Sequence, residues 1–207
     1  MKNINPKSTC DRSIRKAFKT KLESYYGADS QIRIIDELGI LHGEARIDLA
    51  VINEGAIHGY ELKSDVDTLL RLPEQMRIYN TVFSKITLVV GKKHLIEAIQ
   101  TIPEWWGILV AKIVDSNGKI QFYSIREAEQ NPYQDCVSLA SLLWKDEAIN
   151  ILEDIDKAHG VRSKAREFIY ERLAEVFDKK TLSTKVSEYI CARSDWRFGI
   201  SCIPSGD

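Results

Sequence analysis

Hydrophobic positions along the first two-thirds of the chain switch between two spacings. Ile14, Phe18, Leu22 and Tyr25 fall on one helical face, which predicts an opening helix over residues 12–26 with Gly27 as its stop. "QIRIIDELGI", "RIDLAVI" and "IHGYELK" predict three strands. "DTLLRLPEQMRIYNTVF" predicts a helix with a restart at Pro73, a residue tolerated in a first turn. "KITLVVG" is the continuous apolar run of a strand inside a sheet, and "KHLIEAIQ" reads as a helix. "WGILVAKIV" and "IQFYSI" predict two strands joined by the hairpin turn "DSNGK". From Val137 onward the spacing is helical, in "SLASLLWKDEAINILEDI", "SKAREFIYERLAEVF" and "TKVSEYICARSDW". The order predicts an α/β core, a mixed sheet flanked by helices, over residues 1–130, and a helical region over 131–207.

Charges interrupt the pattern at one place. In "RIDLAVI", Ile47, Leu49 and Val51 share one face, with Arg46, Asp48 and Ala50 on the other; in "GYELK", Tyr60 and Leu62 lie opposite to Glu61 and Lys63. A two-residue loop at Glu54-Gly55 pairs Asn53 with Ala56, Leu49 with Tyr60, Ile47 with Leu62 and Asp48 with Glu61. A four-residue loop gives the same pairing and a three-residue loop does not. The even register keeps the apolar faces together.

Directly opposed side chains have Cβ atoms roughly 4.5–5.5 Å apart, and like charges there repel. Asp48 across from Glu61 therefore calls for a cation between them or a proton on one of them. Lys63, two residues beyond Glu61 on the same face, is one available cation. A divalent metal is the other, and oxygen-only ligands suit Mg2+ or Mn2+. The plain alternative is a solvated strand face with an incidental salt bridge of little energetic weight.

Composition narrows the classes. The 207 residues are 44% hydrophobic and 29% charged, enough for one substantial core plus an appendage. A formal net charge of −1 argues against a large polybasic surface but leaves room for a local basic groove. Cys10, Cys136, Cys191 and Cys202 form no CxxC or CxxH pair, so neither structural zinc nor a disulfide framework is expected, and the spacing gives no iron–sulfur set. No signal-like apolar segment or membrane-length run is seen, and a cytoplasmic protein without membrane association is the expectation.

Asp48, twelve residues, then Glu61-Leu62-Lys63 resembles the PD-(D/E)xK nuclease signature, with Ile47 where the proline often stands. Gln75 and Tyr79, at i and i+4 in "QMRIY", resemble the QxxxY element of the RecB-like branch. "RIDLAVI…YELKSDVDTLLRLPEQMRIYNTVFSKITLVV" and the later "SLLWKDE" are similar to the bacterial sce7726 family of that superfamily, chiefly over residues 31–110. The resemblance implies a restriction-endonuclease-like core and a Mg2+- or Mn2+-dependent nuclease acting on phosphodiesters, with DNA as the expected nucleic acid. It implies Asp48 and Glu61 as metal ligands, Lys63 as the residue that orients water or steadies phosphate charge, and Gln75 and Tyr79 as lining. A further acidic ligand is expected, with Glu37 preferred and Glu23 and Glu44 as alternatives. Arg71 is a candidate contact to backbone phosphate.

The remaining signals are weaker. "LEDIDKAHGVRSKAREFIYERLAEVF" is faintly like a SAP-type helix–turn–helix, with Lys164 and Arg166 near the second helix start as nucleic-acid candidates. Two amphipathic helices packing on the core, or on a second copy, are the favoured reading of that segment. His58 falls opposite Val51 on the apolar face and reads as packing, and the four tryptophans mostly as core or interface, with Trp105-Trp106 at a strand entry. Two other functions stand beside the enzyme. One is a nuclease-fold protein that binds nucleic acid within a larger system without cutting alone; the other is an assembly protein, such as a homodimer built through the helical tail.

Overall fold

Six strands lie in chain order across one mixed sheet in the computed structural model, which describes residues 8–26 and 32–193. Strands β1 (Arg33–Ile40), β2 (Ala45–Asn53) and β3 (Ala56–Lys63) form an antiparallel meander. Strands β4 (Lys85–Gly91) and β5 (Gly107–Ile113) continue parallel to β3, reached through α2 (Leu72–Val82) and α3 (Leu95–Thr101). β6 (Ile120–Arg126) returns antiparallel at the edge. β4 is buried on both faces, and this explains its unbroken apolar sequence.

Helix α1 (Asp11–Tyr26) covers one face, where Ile14, Phe18 and Leu22 join Leu49, Val51, Tyr60, Leu62 and Val89. The other face is covered by α2, α3 and four C-terminal helices: α4 (Cys136–Ala140), α5 (Lys145–Glu153), α6 (Arg166–Val176) and α7 (Lys179–Ala192). One buried cluster on that side includes Ile57, Tyr79, Leu88, Trp106, Leu139, Leu173 and Ile190, so sheet and tail share a core. The result is an α/β fold with a C-terminal helical region. No helix among the described residues is long and apolar enough to cross a membrane.

Some expectations shift. Tyr25 is largely exposed, and Tyr26, four residues after Leu22, takes the inward position instead. Residues 67–71 form turns rather than helix. The Asp67 carboxylate accepts the Ser64 backbone N–H at 2.7 Å and so supports a local turn, and α2 begins only at Leu72 with Pro73 in its first turn. Buried Leu69 and Leu72 gave that segment its helical spacing. The "SLASLLWKDE" stretch is two helices, because Trp144 caps α5 with its backbone N–H on the Glu147 carboxylate at 2.7 Å. Trp105 and Trp106 are buried at the entry to β5, whereas Trp144 is more than half exposed beneath the Arg193 guanidinium. Gly27, Trp196 and Cys202 lie outside the described residues.

The β2–β3 turn is the two-residue one. Glu54 and Gly55 have φ of 47° and 80°, the left-handed pair that a tight hairpin requires, and Asn53 pairs with Ala56 and Leu49 with Tyr60. Helix α7 braces the turn: Thr184 packs where a Gly55 side chain would stand, and the Ser183 hydroxyl donates to the Gly55 carbonyl.

Candidate active site

The β2–β3 ladder stops at Leu49 and Tyr60, one residue short of Asp48 and Glu61. The strict alternation expected of β2 also breaks there. Ile47 packs with Ala50 and Ile52, on the face opposite to Leu49 and Val51, which corrects the expectation that Ile47, Leu49 and Val51 share a face. A matching break occurs on β1, where Ile35 and Leu38 share a cluster although they are three residues apart. Between the pairs Asp36–Leu49 and Leu38–Ile47 sit Glu37 and Asp48, and Glu37 has a left-handed φ of 54°. A single left-handed residue turns a strand over, so the charges fall where the strands change face.

At this break Asp48 replaces the missing ladder bond with its side chain. Its Oδ2 accepts the Leu62 backbone N–H at 2.7 Å, while Oδ1 and the Asp48 carbonyl both accept from the Arg15 guanidinium, the carbonyl at 3.1 Å. Glu61, 2% exposed, lies beneath α2. Its Oε1 accepts from Lys63 Nζ at 2.7 Å and from Gln75 Nε2 at 2.8 Å, and the Tyr79 hydroxyl stands 2.9 Å from its Oε2. Gln75 and Tyr79 thus meet the acid through the i, i+4 spacing read in the sequence.

Burial raises the Glu61 carboxyl above its ordinary range and the nearby Asp48 charge adds to this, with Lys63 and Tyr79 opposing. Burial raises Asp48 as well, against the Leu62 N–H and Arg15. Burial beside Glu61 keeps Tyr79 a phenol. The Tyr79 hydroxyl lies 2.7 Å from the Arg46 carbonyl and 2.9 Å from Glu61 Oε2, yet it carries one proton. That proton is shared between the two acceptors, the Arg46 carbonyl and the Glu61 carboxylate.

Asp48, Glu61, Lys63 and Gln75 line a cleft of about 740 Å³ with Asp11, Arg15, Glu37, Glu44, Arg46 and Arg71; Tyr79, wholly buried, lies behind Glu61 and, against the expectation, does not line it. Glu37 is held by cations, with one carboxylate oxygen 2.7 Å from Arg46 Nη1 and the other 3.4 Å from Arg15 Nη1. Among the described residues no three His, Cys, Asp or Glu side chains gather as a ready-made cation cage. Glu37 therefore shares the cleft with Asp48 and Glu61 without joining them in such a cluster. The donor chemistry still fits a hard divalent ion, because Mg2+ usually relies on one or two carboxylates and keeps several waters. The carbonyl oxygen of Gln75, buried on a residue of the cleft wall without a hydrogen-bond partner among the described residues, is a further oxygen of the right type.

A family model for Bacteriophage P4 protein cII matches residues 11–196. The chain belongs to that family. Protein cII of Enterobacteria phage P4 is 26% identical over 164 residues, which cover 79% of this chain and 59% of the phage protein. The chain thus spans less than two-thirds of that relative. Among solved structures, SPO1766, a protein of unknown function from Silicibacter pomeroyi, is similar over 74% of this chain and 93% of its own, with a TM-score of 0.38 and 14% identity. Neither name carries an activity. The matched residues of the cII family include the whole cleft.

The other candidates divide. Arg71 and Glu44 line the cleft, whereas Glu23 is exposed on α1 and does not. Lys164 stacks over Phe168 near the start of α6, and Arg166 pairs with Glu167, both away from the lining. The α5–α6 segment packs Leu152, Val161, Ile169 and Leu173 into the core. His58 pairs with Val51 and hydrogen-bonds Thr87 Oγ1 at 2.8 Å; burial lowers its pKa to about 3, so it stays neutral. Sequence reasoning missed Arg15 and Arg46. Arg15 follows Ile14 on α1, and its place one step off the apolar stripe was the available signal.

Proposed function

We propose that this chain is a divalent-metal-dependent nuclease that hydrolyses phosphodiester bonds in DNA, built on a PD-(D/E)xK core of the sce7726 type. The observation that carries the reading is the meeting of Asp48, Glu61 and Lys63 at the parted ends of β2 and β3, roofed by Gln75 and Tyr79. Asp48 and Glu61 would hold a Mg2+ or Mn2+ ion, which when bound supplies Lewis acidity and an activated water. Lys63 keeps Glu61 oriented and presents positive charge beside the position where phosphate charge grows. Gln75 and Tyr79 fix the other side of Glu61, so that α2 sets the direction of the acid. Arg46 and Arg71, on the cleft wall, offer contacts to the flanking phosphates.

A second reading is a nuclease-fold protein that binds nucleic acid, within a larger system or as a homodimer, and does not cut alone. One observation favours it: both oxygens of each acid already have protein donors close by, and among the described residues no third carboxylate joins them. The test is incubation of the protein with linear and circular DNA, single- and double-stranded, in Mn2+, Mg2+ or EDTA, with Asp48→Asn and Lys63→Met alongside. The nuclease reading expects cutting that needs metal and is lost in both variants. Binding of DNA without cutting in any metal supports the second reading.

A further inference from the structure

Each carboxylate oxygen at the proposed site has a proton donor within hydrogen-bond reach, so an ion binding Asp48 or Glu61 meets donors already in place and, where the donor is a cation, a charge that competes with its own. The donors differ in how readily they yield. The Leu62 N–H belongs to the backbone of β3 and accompanies the strand. Lys63 is 9% exposed and sits on a 2% exposed partner. Gln75 bonds both Glu61 and Tyr79, and Tyr79 is wholly buried. Arg15 differs. Its side chain is 23% exposed, it reaches in from α1 on the opposite face of the sheet, and it has other acids at hand: Glu37 at 3.4 Å and Asp11 at 3.7 Å.

We propose that Arg15 is a displaceable counter-ion of the site: its guanidinium and the divalent ion compete for Asp48 Oδ1. This rests on the metal-dependent reading above. On metal entry Arg15 leaves Asp48 Oδ1 and remains near Glu37 and Asp11, so the guanidinium never loses all of its partners. The arrangement prevents Asp48 and Glu61 from facing each other uncompensated, and it sets the metal concentration at which Asp48 changes partner. Arg15 in this account is a positioning residue that acts through Asp48.

The test is Mn2+ binding to the full chain, read as loss of the free-ion electron paramagnetic resonance signal, for wild type, Asp48→Asn, Arg15→Met and Arg15→Lys. Wild type binds Mn2+ and Asp48→Asn binds it much more weakly if the metal reading holds. Arg15→Met then binds Mn2+ about two- to fivefold more tightly, the range expected for removing one partly exposed competing ion pair. Arg15→Lys, which keeps the charge without the planar two-point grip, falls between them. Mn2+ affinity unchanged or weakened in both Arg15 variants, with wild-type binding intact, overturns the competition. Absence of Mn2+ binding in wild type overturns the metal reading itself, and the counter-ion proposal with it. Arg15→Lys preserves the charge on α1, so it keeps the test decisive if Arg15→Met folds poorly.

Discussion

The carboxylate of Asp48 accepts the backbone N–H of Leu62 at 2.7 Å, one residue past the last ladder pair of β2 and β3. A side chain thus closes the sheet where the backbone no longer does. Asp48→Ala leaves that N–H without its acceptor and is expected to cost about 1–3 kcal/mol of stability. Asp48→Asn retains an acceptor oxygen and is expected to cost less. The urea midpoints of the two variants, with a shared m-value, check the order.

Lys63 and Glu61 form a buried pair at 2.7 Å. Removing one partner strands the other, so Lys63→Met is expected to destabilise by about 3 kcal/mol. Adding Glu61→Leu removes the stranded acid and should recover much of the loss, since apolar replacement of a whole buried pair is often neutral or favourable. A double-mutant cycle by chemical denaturation measures this. A loss in the double variant equal to the sum of the Lys63→Met and Glu61→Leu losses would show that the pair is not coupled.

Both acids sit above their ordinary carboxyl range, so the folded protein keeps protons that the unfolded chain has released. The sign follows: their favourable contribution is complete below the unfolded carboxylate pKa and is lost as pH rises through the raised folded values. In EDTA the urea midpoint is expected to fall as pH rises above the ordinary carboxylate range, and less in Asp48→Asn or Glu61→Gln than in wild type. Mn2+ favours the ionised pair and reverses the fall; at a hundred times its Kd it adds about 2.7 kcal/mol.

The hairpin that carries both acids rests on α7. A Cβ on Gly55 would come within 2.8 Å of the Thr184 hydroxyl and 3.1 Å of its Cα, at a φ of 80° that side chains rarely adopt. Gly55→Val is expected to destabilise by roughly 2 kcal/mol, from strain plus the clash. A lowered melting temperature in the full chain checks this. An unchanged one would mean that the turn is not held by the tail.

Much of this arrangement was legible in the residues. The even register followed from matching apolar faces, the two-residue turn at Glu54-Gly55 being the simplest loop that gives it and a four-residue loop the alternative, and the register brought Asp48 and Glu61 to the same end of the hairpin. Helical spacing put Gln75 and Tyr79 on one face, and the QxxxY resemblance gave that face to the site; both side chains meet Glu61. The face change at Ile47 was not legible, because it depends on a left-handed Glu37 one strand away, and glutamate gives no warning of that conformation. Arg15 was hidden for a related reason. Its place one step off the apolar stripe of α1 hints at a border position, but its partner lies 33 residues along the chain and periodicity does not say which strand residue it meets. The Asp67 turn was hidden because Leu69 and Leu72 bury themselves at helical spacing from a loop.

Asp48 and Glu61 are proposed to hold the divalent ion on which phosphodiester cleavage depends. The most direct test is the rate of Mn2+-dependent DNA cleavage by Asp48→Asn against wild type, with both proteins matched for folded fraction. The account predicts cleavage by wild type that EDTA abolishes, and a loss of at least about a hundredfold in the variant, the scale expected when one group central to transition-state stabilisation is removed. Cleavage of equal rate in both proteins would contradict it.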